Sequence, residues 1–336
     1  MRKPIIGITM GDAAGIGPEI TAKALNYKNI YDVCNPFVLG DLRVMKDIIN
    51  ICNLKLNLNK INDLKDCKFE FKTIDVLDFN DVNPSSFKFG EVNPICGKAA
   101  VNYTIEAGKM ALENKIQAMV SAPLHKGAMR AAGYHYEGQT QILGELTKST
   151  NYGMILIFEN LKILMYSTHM SLRNACDKVT YDGVLKKIIL ANEGLKFFNK
   201  KDQVIAVAAL NPHAGEAGLF GNEEIDYIIP AINKAKEMGI NVVGPIPGDT
   251  VFVRAKNGEF DLVIAMYHDQ ANIIMKILGF GEVVTLLAGI PIIRTSTGHG
   301  TAFDIAGKNV ADEKNLYKAI ELAAQLGLKK NKQLIF

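Results

Sequence analysis

The sequence carries little excess charge of either sign. Its 38 basic and 35 acidic side chains leave a formal net charge of +3, with no basic tail and no stretch of interleaved lysines and aromatics. Proteins that bind nucleic acid concentrate basic residues on one face or along one segment. The composition therefore argues against a nucleic-acid partner.

Long apolar runs are also missing. No stretch reaches the roughly 18 uncharged apolar residues of a membrane-spanning helix. The first residues, "MRKPIIGITMGD", contain an apolar segment too short for a secretory signal and run directly into glycine-rich chain. We therefore expect a cytoplasmic protein without a membrane partner.

Cysteine is scarce and scattered. The five cysteines form an odd number without a C-x-x-C pair, at Cys34, Cys52, Cys67, Cys96 and Cys176. A disulfide framework is typical of small secreted proteins with an even number of cysteines, and cysteine zinc sites use closely spaced pairs. The sequence predicts reduced thiols.

What the chain does contain is an alternation of short β-branched runs with longer amphipathic stretches. Helical periodicity occurs in 98–115, 180–198, 222–238 and 311–327. The strand-type runs are "PIIGITM", "PFVLG", "AMVSA", "MILIF", "KILMYST", "QVIAVAAL", "INVVG" and "DLVIAMY". Such alternation is typical of an α/β protein with largely parallel sheets.

Length and composition favour two domains. The chain has 336 residues, of which 48% are apolar, which is enough for two ordinary cores. The polar segment 53–95, rich in Asn and Asp, is predicted to be an excursion or an edge hairpin. No repeat, low-complexity segment or Pro/Gly/Ser linker is present, so we expect strands that cross between the domains.

The segment "TMGDAAGIGPEI" predicts a strand-to-helix turn. Gly11, Gly15 and Gly17 follow the first strand, and Pro18 and Glu19 suit the first turn of a helix. Two interpretations are open: a tight turn that needs glycine, or backbone amides that hold an anion. The spacing differs from G-x-G-x-x-G and does not predict a Rossmann dinucleotide site.

Three of the six histidines stand at or just past the ends of predicted strands. His169 ends "KILMYSTH", His213 follows "QVIAVAALNPH" and His268 ends "DLVIAMYH". Ligands bind at the carboxyl edge of parallel sheets, so a shared metal site is predicted there. Three imidazoles suit zinc, cobalt, nickel, manganese or iron and leave positions open for a substrate oxygen.

Charged residues near these histidines have two possible roles each. Glu216, Asp249 and Asp269 either orient an imidazole or act as a general base. Lys276 and Arg294 are either solvated or placed to hold a phosphate or carboxylate.

Seven motifs together resemble one known family, in the same order and over nearly the whole chain. The motifs are "GDAAGIGPEI", "SAPLHKGAM", "STHMSLR", "LNPHAGEAGLFGNEE", "GDTVF", "YHDQANIIMKILGF" and "RTSTGHGTAFDIAGK". Through them the chain is similar to the 4-hydroxythreonine-4-phosphate dehydrogenases, including relatives that act on D-threonate and D-erythronate 4-phosphate.

The resemblance implies an architecture and an assembly. The fold would be two-domain α/β/α, akin to isocitrate and isopropylmalate dehydrogenases, with the active site in the interdomain cleft. Residues 1–125 with 300–336 would form one domain, and 126–299 the other, which holds the metal-binding histidines. The protein would be a homodimer, with the third metal ligand supplied by the partner subunit.

The resemblance also implies functional residues. The metal, one divalent ion among Zn, Co, Mn and Mg, would be bound by His169, His213 and His268. The loop "HGTAFDIAGK" resembles the adenosine-binding loop of isopropylmalate dehydrogenases, and it alone points to NAD or NADP. The substrate positions would be Gln139, Thr140, Lys276, Thr285 and Arg294, and the cofactor positions His299, Gly300, Thr301, Ala302 and Asp304.

The implied reaction is an oxidative decarboxylation. A hydride passes from a secondary alcohol to the nicotinamide, and the resulting β-keto acid loses carbon dioxide. The expected substrate is 4-phosphohydroxy-L-threonine, which gives 3-amino-2-oxopropyl phosphate in pyridoxal phosphate synthesis. Asp249, Asp269 and Lys126 are candidates for proton transfer.

The chain departs from the family pattern at substrate positions. The usual Gly-His-Thr-Glu is replaced by Gly138-Gln139-Thr140-Gln141, Thr285 stands where Asn is common, and Gly298 replaces an Asp. The metal histidines are kept, which favours retained chemistry with altered selectivity, as for D-threonate or D-erythronate 4-phosphate. Two rivals stay open: a metal lyase or hydrolase that uses no nucleotide, and a non-catalytic metabolite-binding relative.

Overall fold

The computed structural model describes residues 3–333 of the chain, with side chains through residue 330. Two compact units are present: the first comprises the chain through Thr150 and the segment from Ile290 onward, and the second comprises Asn151–Gly289. The sequence-based division assigned 126–150 and 290–299 to the second domain, whereas these residues group with the first unit. The outermost residues of the expected first domain, 1–2 and 334–336, lie outside the described range.

The strands are short and apolar. Within residues 3–333 they are, in chain order, β1 Ile5–Thr9, β2 Asn35–Gly40, β3 Asn57–Ile61, β4 Thr73–Asp78, β5 Ala118–Ser121, β6 Gly153–Phe158, β7 Leu161–Met165, β8 Ile205–Ala208, β9 Val242–Ile246, β10 Leu262–Ala265, β11 Val284–Ala288 and β12 Arg294–Thr297. Each strand-type run named from the sequence overlaps an observed strand, so that part of the prediction is confirmed.

Helices separate most of these strands. Over the described residues they are α1 Gly17–Ala24, α2 Lys28–Val33, α3 Leu42–Ile51, α4 Pro94–Leu112, α5 Lys126–Ala131, α6 Gln139–Leu146, α7 Leu172–Asp177, α8 Tyr181–Lys196, α9 Ile229–Glu237, α10 Val251–Lys256, α11 His268–Gly279 and α12 Lys314–Gln333. Shorter helical turns occupy Leu64–Asp66, Pro84–Ser86 and Glu224–Ile228. None of the helices in this part of the chain is long and apolar enough to cross a membrane.

Local sequence signals explain where several helices begin. Asn93 precedes Pro94 at the start of α4, and its side chain accepts hydrogen bonds from the amides of Ile95 and Cys96. Thr180 caps α8 in the same way through the amide of Gly183. These caps satisfy amides that have no partner within the helix, so both starting points are encoded locally.

The strands of the first unit run in the order β3-β4-β2-β1-β5-β12, and each of these neighbouring strands pairs in parallel with the next. The expected hairpin in 53–95 was wrong, because β3 and β4 pair in parallel at the edge of the sheet. As an edge strand, β3 buries only Ile61, which explains its polar sequence. Helices α5 and α6 pack on α4, which is why residues 126–150 belong to this unit.

The second unit has the strand order β11-β6-β7-β10-β8-β9. Strand β6 is antiparallel to both of its neighbours, whereas β7, β10, β8 and β9 are mutually parallel. An apolar core that includes Phe252, Phe260 and Met275 packs against these strands. The largely parallel α/β architecture is confirmed, and it places the ends of β7, β8 and β10 at one edge.

Candidate functional site

The three histidines predicted to bind metal follow parallel strands of the second unit. His169 follows β7, His213 follows β8, and His268 follows β10, which pairs in parallel with both of the other strands. The carboxyl ends of parallel strands lie at one edge of a sheet, where ligands bind. The rings of His169 and His268 have their centroids 5.8 Å apart.

This spacing fits two ligands of one ion. Metal–nitrogen bonds of about 2.0–2.1 Å at a tetrahedral ion place two imidazole centroids about 5–6 Å apart. The described residues nevertheless hold no group of three or more His, Cys, Asp or Glu side chains placed to bind an ion. The three predicted ligands are therefore not assembled as one cluster within this part of a single chain.

A carboxylate orients His268. Asp269 follows it in the first turn of α11, and its Oδ1 lies 2.6 Å from Nδ1 of the imidazole. A hydrogen bond at Nδ1 selects the tautomer in which Nε2 has a free lone pair for a metal. Of the two roles that the sequence left open for Asp269, an orienting role would use this contact.

His213 begins a left-handed turn, here defined as His213–Ala217. Its five φ angles are 51°, 55°, 80°, 43° and 53°. Gly215 adopts such angles readily, whereas each other residue costs on the order of 1–2 kcal/mol. Backbone strain of this kind persists only where surrounding contacts fix it, and it clusters at functional sites.

A cavity of about 430 Å³ lies within the second unit beside this turn. His213, Asp249 and Asp269 line it together with Tyr267 and Phe252. Its size is that of a pocket for a small metabolite. The cavity thus brings one predicted metal ligand together with two of the predicted proton-transfer residues.

Two predicted substrate residues also belong to the second unit. Lys276 is exposed on α11, the helix that begins at His268. Thr285 is 4% exposed and lies in β11 opposite Leu156 of β6. Lys276 is therefore accessible to an anion, whereas Thr285 is held inside the sheet.

Arg294 of the first unit is a buried cation with neutral partners. Its side chain is 4% exposed; Nε donates to the Ser121 hydroxyl at 3.1 Å and Nη2 donates to the Gln139 side-chain oxygen at 2.9 Å. No carboxylate among the described residues forms an ion pair with it. Burial lowers the pKa of Arg294 to about 10, which still leaves it charged at neutral pH.

Gln139 is held at both ends of its amide. Its Oε1 accepts from Arg294, and its Nε2 donates to the carbonyl of Ala122 at 2.9 Å.

The following residue, Thr140, lies in the first turn of α6 and is half-buried. Lys126 is exposed at the start of α5, and a Cβ added at Gly138 would lie 3.8 Å from its Cε. Lys126 is therefore a near neighbour of the Gln139 segment.

The loop predicted to bind the cofactor packs against the glycine turn that follows β1. The carbonyl of Thr301 accepts from the Ile16 amide at 3.0 Å, and Phe303 stacks on His125 with ring centroids 4.3 Å apart. His299, Gly300, Ala302 and Asp304 lie in the same loop, which carries no regular helix or strand.

The structure accounts for the glycines of the turn after β1 by the tight-turn interpretation. The amides of Ala14, Gly15 and Ile16 donate to Asp12 or to Thr301 and so are not available to an anion. The turn needs glycine because Gly11 has φ +75° and because a Cβ at Gly17 would lie 2.4 Å from a carbonyl oxygen.

Two residues of these sites escaped the sequence reasoning. Ser121 closes a predicted strand and accepts from Arg294, a contact that depends on the pairing of β5 with β12. Glu224 is 1% exposed and accepts from the amides of Leu210 and Asn211 just before the left-handed turn. The sequence offered one signal for Glu224: it is an acidic residue that soon follows a glycine-rich loop containing a histidine.

Fold and site define a class: an α/β enzyme with a histidine pair at the carboxyl edge of a parallel sheet and a buried arginine. The family model described as "Pyridoxal phosphate biosynthetic protein PdxA" matches residues 32–323. The chain belongs to the PdxA family, and the resemblance read from its motifs is confirmed. The protein is an oxidoreductase that acts on a CH–OH group.

Relatives match over nearly the whole chain. A protein of Oceanobacillus iheyensis named "Putative D-threonate 4-phosphate dehydrogenase" is 45% identical over 97% of this chain and 98% of its own length. A protein of Clostridium botulinum with the same name is 42% identical over 96% of this chain and 97% of its own length. The solved structure of 4-hydroxythreonine-4-phosphate dehydrogenase from Klebsiella pneumoniae is 39% identical, with a TM-score of 0.92 over 97% of this chain and 98% of that one.

Proposed function

We propose that this protein catalyses the metal- and NAD-dependent oxidative decarboxylation of a four-carbon, 4-phosphorylated hydroxy acid. The observation that carries the proposal is Arg294, a buried guanidinium whose partners are neutral and which therefore lacks a compensating anion. A phosphate or carboxylate of the substrate would supply it. The names of relatives over the whole chain support the same substrate class.

The first candidate substrate is 4-phosphohydroxy-L-threonine, converted to 3-amino-2-oxopropyl phosphate. The description of the family as pyridoxal phosphate biosynthetic and the name of the Klebsiella pneumoniae structure support it.

The second candidate class is the sugar acids D-threonate and D-erythronate 4-phosphate, which have a hydroxyl in place of the amino group. The observation that favours it is Gln139, an uncharged side chain whose amide is fully used by Arg294 and Ala122. Such a residue offers no charge to pair with an ammonium group. The names of the Oceanobacillus iheyensis and Clostridium botulinum relatives agree with this candidate.

The chain's own residues would bind the substrate and move its protons. Arg294 and Lys276 would hold the phosphate and carboxylate, and Gln139, Thr140 and Thr285 would orient the substrate. The alcohol proton must pass to a base, for which Asp249 is placed in the same cavity as His213. Lys126 is the candidate that would return a proton after carbon dioxide leaves. Asp269 would take part in proton transfer through its contact with His268.

The proposed ion, one of Zn, Co, Mn and Mg, would be bound by His169, His213 and His268 and would act as a Lewis acid toward the substrate. We propose a homodimer in which the partner subunit completes this ligand set. The spacing of the His169 and His268 rings supports shared binding of one ion. We also propose a cytoplasmic location; the free thiols of all five cysteines are compatible with it.

The cofactor, NAD or NADP, would be bound by the loop that holds His299, Gly300, Thr301, Ala302 and Asp304. When bound it supplies the hydride acceptor. The loop's backbone contact with Ile16 and the stacking of Phe303 on His125 support a preformed binding surface.

The test is NADH formation by the purified protein, with added divalent metal and a chelator control. The three substrates compared are 4-phosphohydroxy-L-threonine, D-threonate 4-phosphate and D-erythronate 4-phosphate. Metal-dependent turnover of at least one is expected. Turnover of a sugar acid alone would select the second candidate, and no turnover of any substrate would contradict the proposal and favour a metabolite-binding protein. A lyase or hydrolase would show product without NADH.

A further inference from the structure

The buried carboxylate of Glu224 contacts the segment of chain that leads to His213. Glu224 is 1% exposed and begins the π-helical turn Glu224–Ile228. Its Oε1 accepts from the amides of Leu210 and Asn211, each at 2.8 Å. Those two residues connect β8 to the left-handed turn, so the carboxylate fixes the path by which the chain enters that turn.

The side chain of Asn211 extends this contact. Its Nδ2 donates to Glu224 Oε2 at 2.9 Å and to Glu223 Oε2 at 2.6 Å. Three N–H groups therefore bind the buried Glu224 carboxylate, which offsets the cost of removing its charge from water. The Glu223 carboxylate contacts the side chain of Asn211.

Gly215 brings the carboxylate directly against the left-handed turn. Its φ is +80°, and an added Cβ would lie 2.9 Å from Glu224 Oε2 and 3.0 Å from the carbonyl oxygen of Gly221. Only glycine allows both this backbone angle and this approach. The carboxylate is thus packed against the middle of the turn as well as bonded to its entrance.

We propose that Glu224 is a positioning residue for His213. By fixing the entrance and the middle of the left-handed turn, it holds a backbone conformation that the non-glycine residues would otherwise leave, and so it sets the direction of the imidazole. The proposal rests on the proposed role of His213 as a metal ligand. Glu224 acts only through the turn, because it is buried and bonded to that segment on both of its oxygens.

The experiment is Co²⁺ binding by the purified full-length protein, measured by calorimetry and by the visible absorption of the bound ion. In Glu224→Gln an NH₂ group replaces one carboxylate oxygen. If it replaces Oε2, it faces the Nδ2 donor of Asn211, and the three hydrogen bonds can no longer all form. Loss of a group that orients a metal ligand typically weakens binding about 10–100-fold. We expect that loss, together with a changed Co²⁺ spectrum at saturation.

Glu223→Gln is the matched control, since it makes the same chemical change at the neighbouring carboxylate. Its Co²⁺ affinity and spectrum should stay close to those of the unmodified protein. Thermal unfolding of each variant establishes that the folded protein is being measured. If Glu224→Gln does not fold, Gly215→Ala replaces it, because the added Cβ displaces the same carboxylate from the other side of the contact.

The outcomes separate this inference from the proposed function. If His213→Ala abolishes Co²⁺ binding but folded Glu224→Gln or Gly215→Ala binds with unchanged affinity and spectrum, the positioning role is wrong and the metal site stands. If His213→Ala binds Co²⁺ as tightly as the unmodified protein, the metal site is wrong and the positioning role falls with it.

Discussion

Arg294 and Gln139 are joined by a buried hydrogen bond, with Nη2 of the guanidinium 2.9 Å from the side-chain oxygen. The amide of Gln139 is oriented by its second bond, from Nε2 to the carbonyl of Ala122. An oriented neutral acceptor fixes the guanidinium without cancelling its charge. The charge that remains is the feature that would attract a phosphate or carboxylate.

Gln139→Glu is predicted to weaken substrate binding. A carboxylate in the place of the amide would pair with Arg294 and compete with the substrate anion, while its second oxygen would meet the Ala122 carbonyl. Hydrogen bonds to charged groups contribute about 1.5–3 kcal/mol, so the KM for the phosphorylated substrate should rise roughly tenfold or more. Steady-state NADH formation measures this change.

The control for that variant is Gln325→Glu, the same chemical change at an exposed position of α12 in the same unit. Its KM should stay near that of the unmodified protein. An unchanged KM in Gln139→Glu would show that Arg294 does not bind the substrate anion.

Asp12 gives the stability of the protein a dependence on pH. It is fully buried, and burial raises its pKa from 3.8 to about 6 against the opposing hydrogen bonds from the amides of Ala14 and His125. Because the folded pKa is the higher one, folding favours the protonated form. Its contribution to stability is complete below pH 3.8 and is lost as the pH rises to about 6; the loss amounts to about 3 kcal/mol.

Asp12→Asn should therefore stabilise the protein at pH 8 more than at pH 5. The amide keeps an acceptor for Ala14 and removes the buried charge. Thermal unfolding at both pH values measures the difference, which we expect to be a few degrees. Asp32→Asn, at an exposed position paired with Lys28, should shift the melting temperature little at either pH. Equal shifts at the two pH values in Asp12→Asn would contradict the assignment.

The fold and the position of three histidines at one edge of the sheet were predictable because both depend on local patterns. Buried parallel strands are short β-branched runs, and the residue that follows such a run is carried to the carboxyl edge of its sheet. His169, His213 and His268 were recognised on that basis, and the structure brings the rings of His169 and His268 together. The identity of the cofactor was never visible in the pattern and came from resemblance alone.

What the sequence did not reveal depends on contacts between distant segments. Ser121 reaches Arg294 because β5 pairs with β12, and that pairing leaves no trace in either strand's composition. The left-handed turn is also unpredictable, since His213 and Ala214 intrinsically prefer right-handed angles and the Glu224 contacts at the entrance of the turn come from a later segment. Edge strand β3 was missed because its residues are largely polar.

Asp269→Asn is predicted to weaken metal binding while leaving the ligand His268 in place. The amide can still contact Nδ1 but removes the negative charge next to the imidazole and the bound ion, so Co²⁺ affinity should fall about 10–100-fold. His268→Ala should remove binding, and Asp226→Asn, an exposed change in the same unit, should leave it unaltered. Calorimetric titration distinguishes these cases. Full affinity in Asp269→Asn would mean that the contact with His268 has no part in metal binding.

The stacking of Phe303 on His125 is predicted to support cofactor binding. The two rings lie 4.3 Å apart with an interplanar angle of 15°, and Phe303 is part of the loop proposed to bind NAD. Phe303→Ala should raise the KM for NAD several-fold without changing the KM for the phosphorylated substrate. A double-mutant cycle with His125→Ala should show a coupling of about 0.5–1.5 kcal/mol, as for other ring pairs. Phe71→Ala removes a ring that packs on Tyr31 instead, so it should leave the KM for NAD unchanged. Equal effects of Phe303→Ala and Phe71→Ala on that KM would contradict a role for this loop in binding NAD.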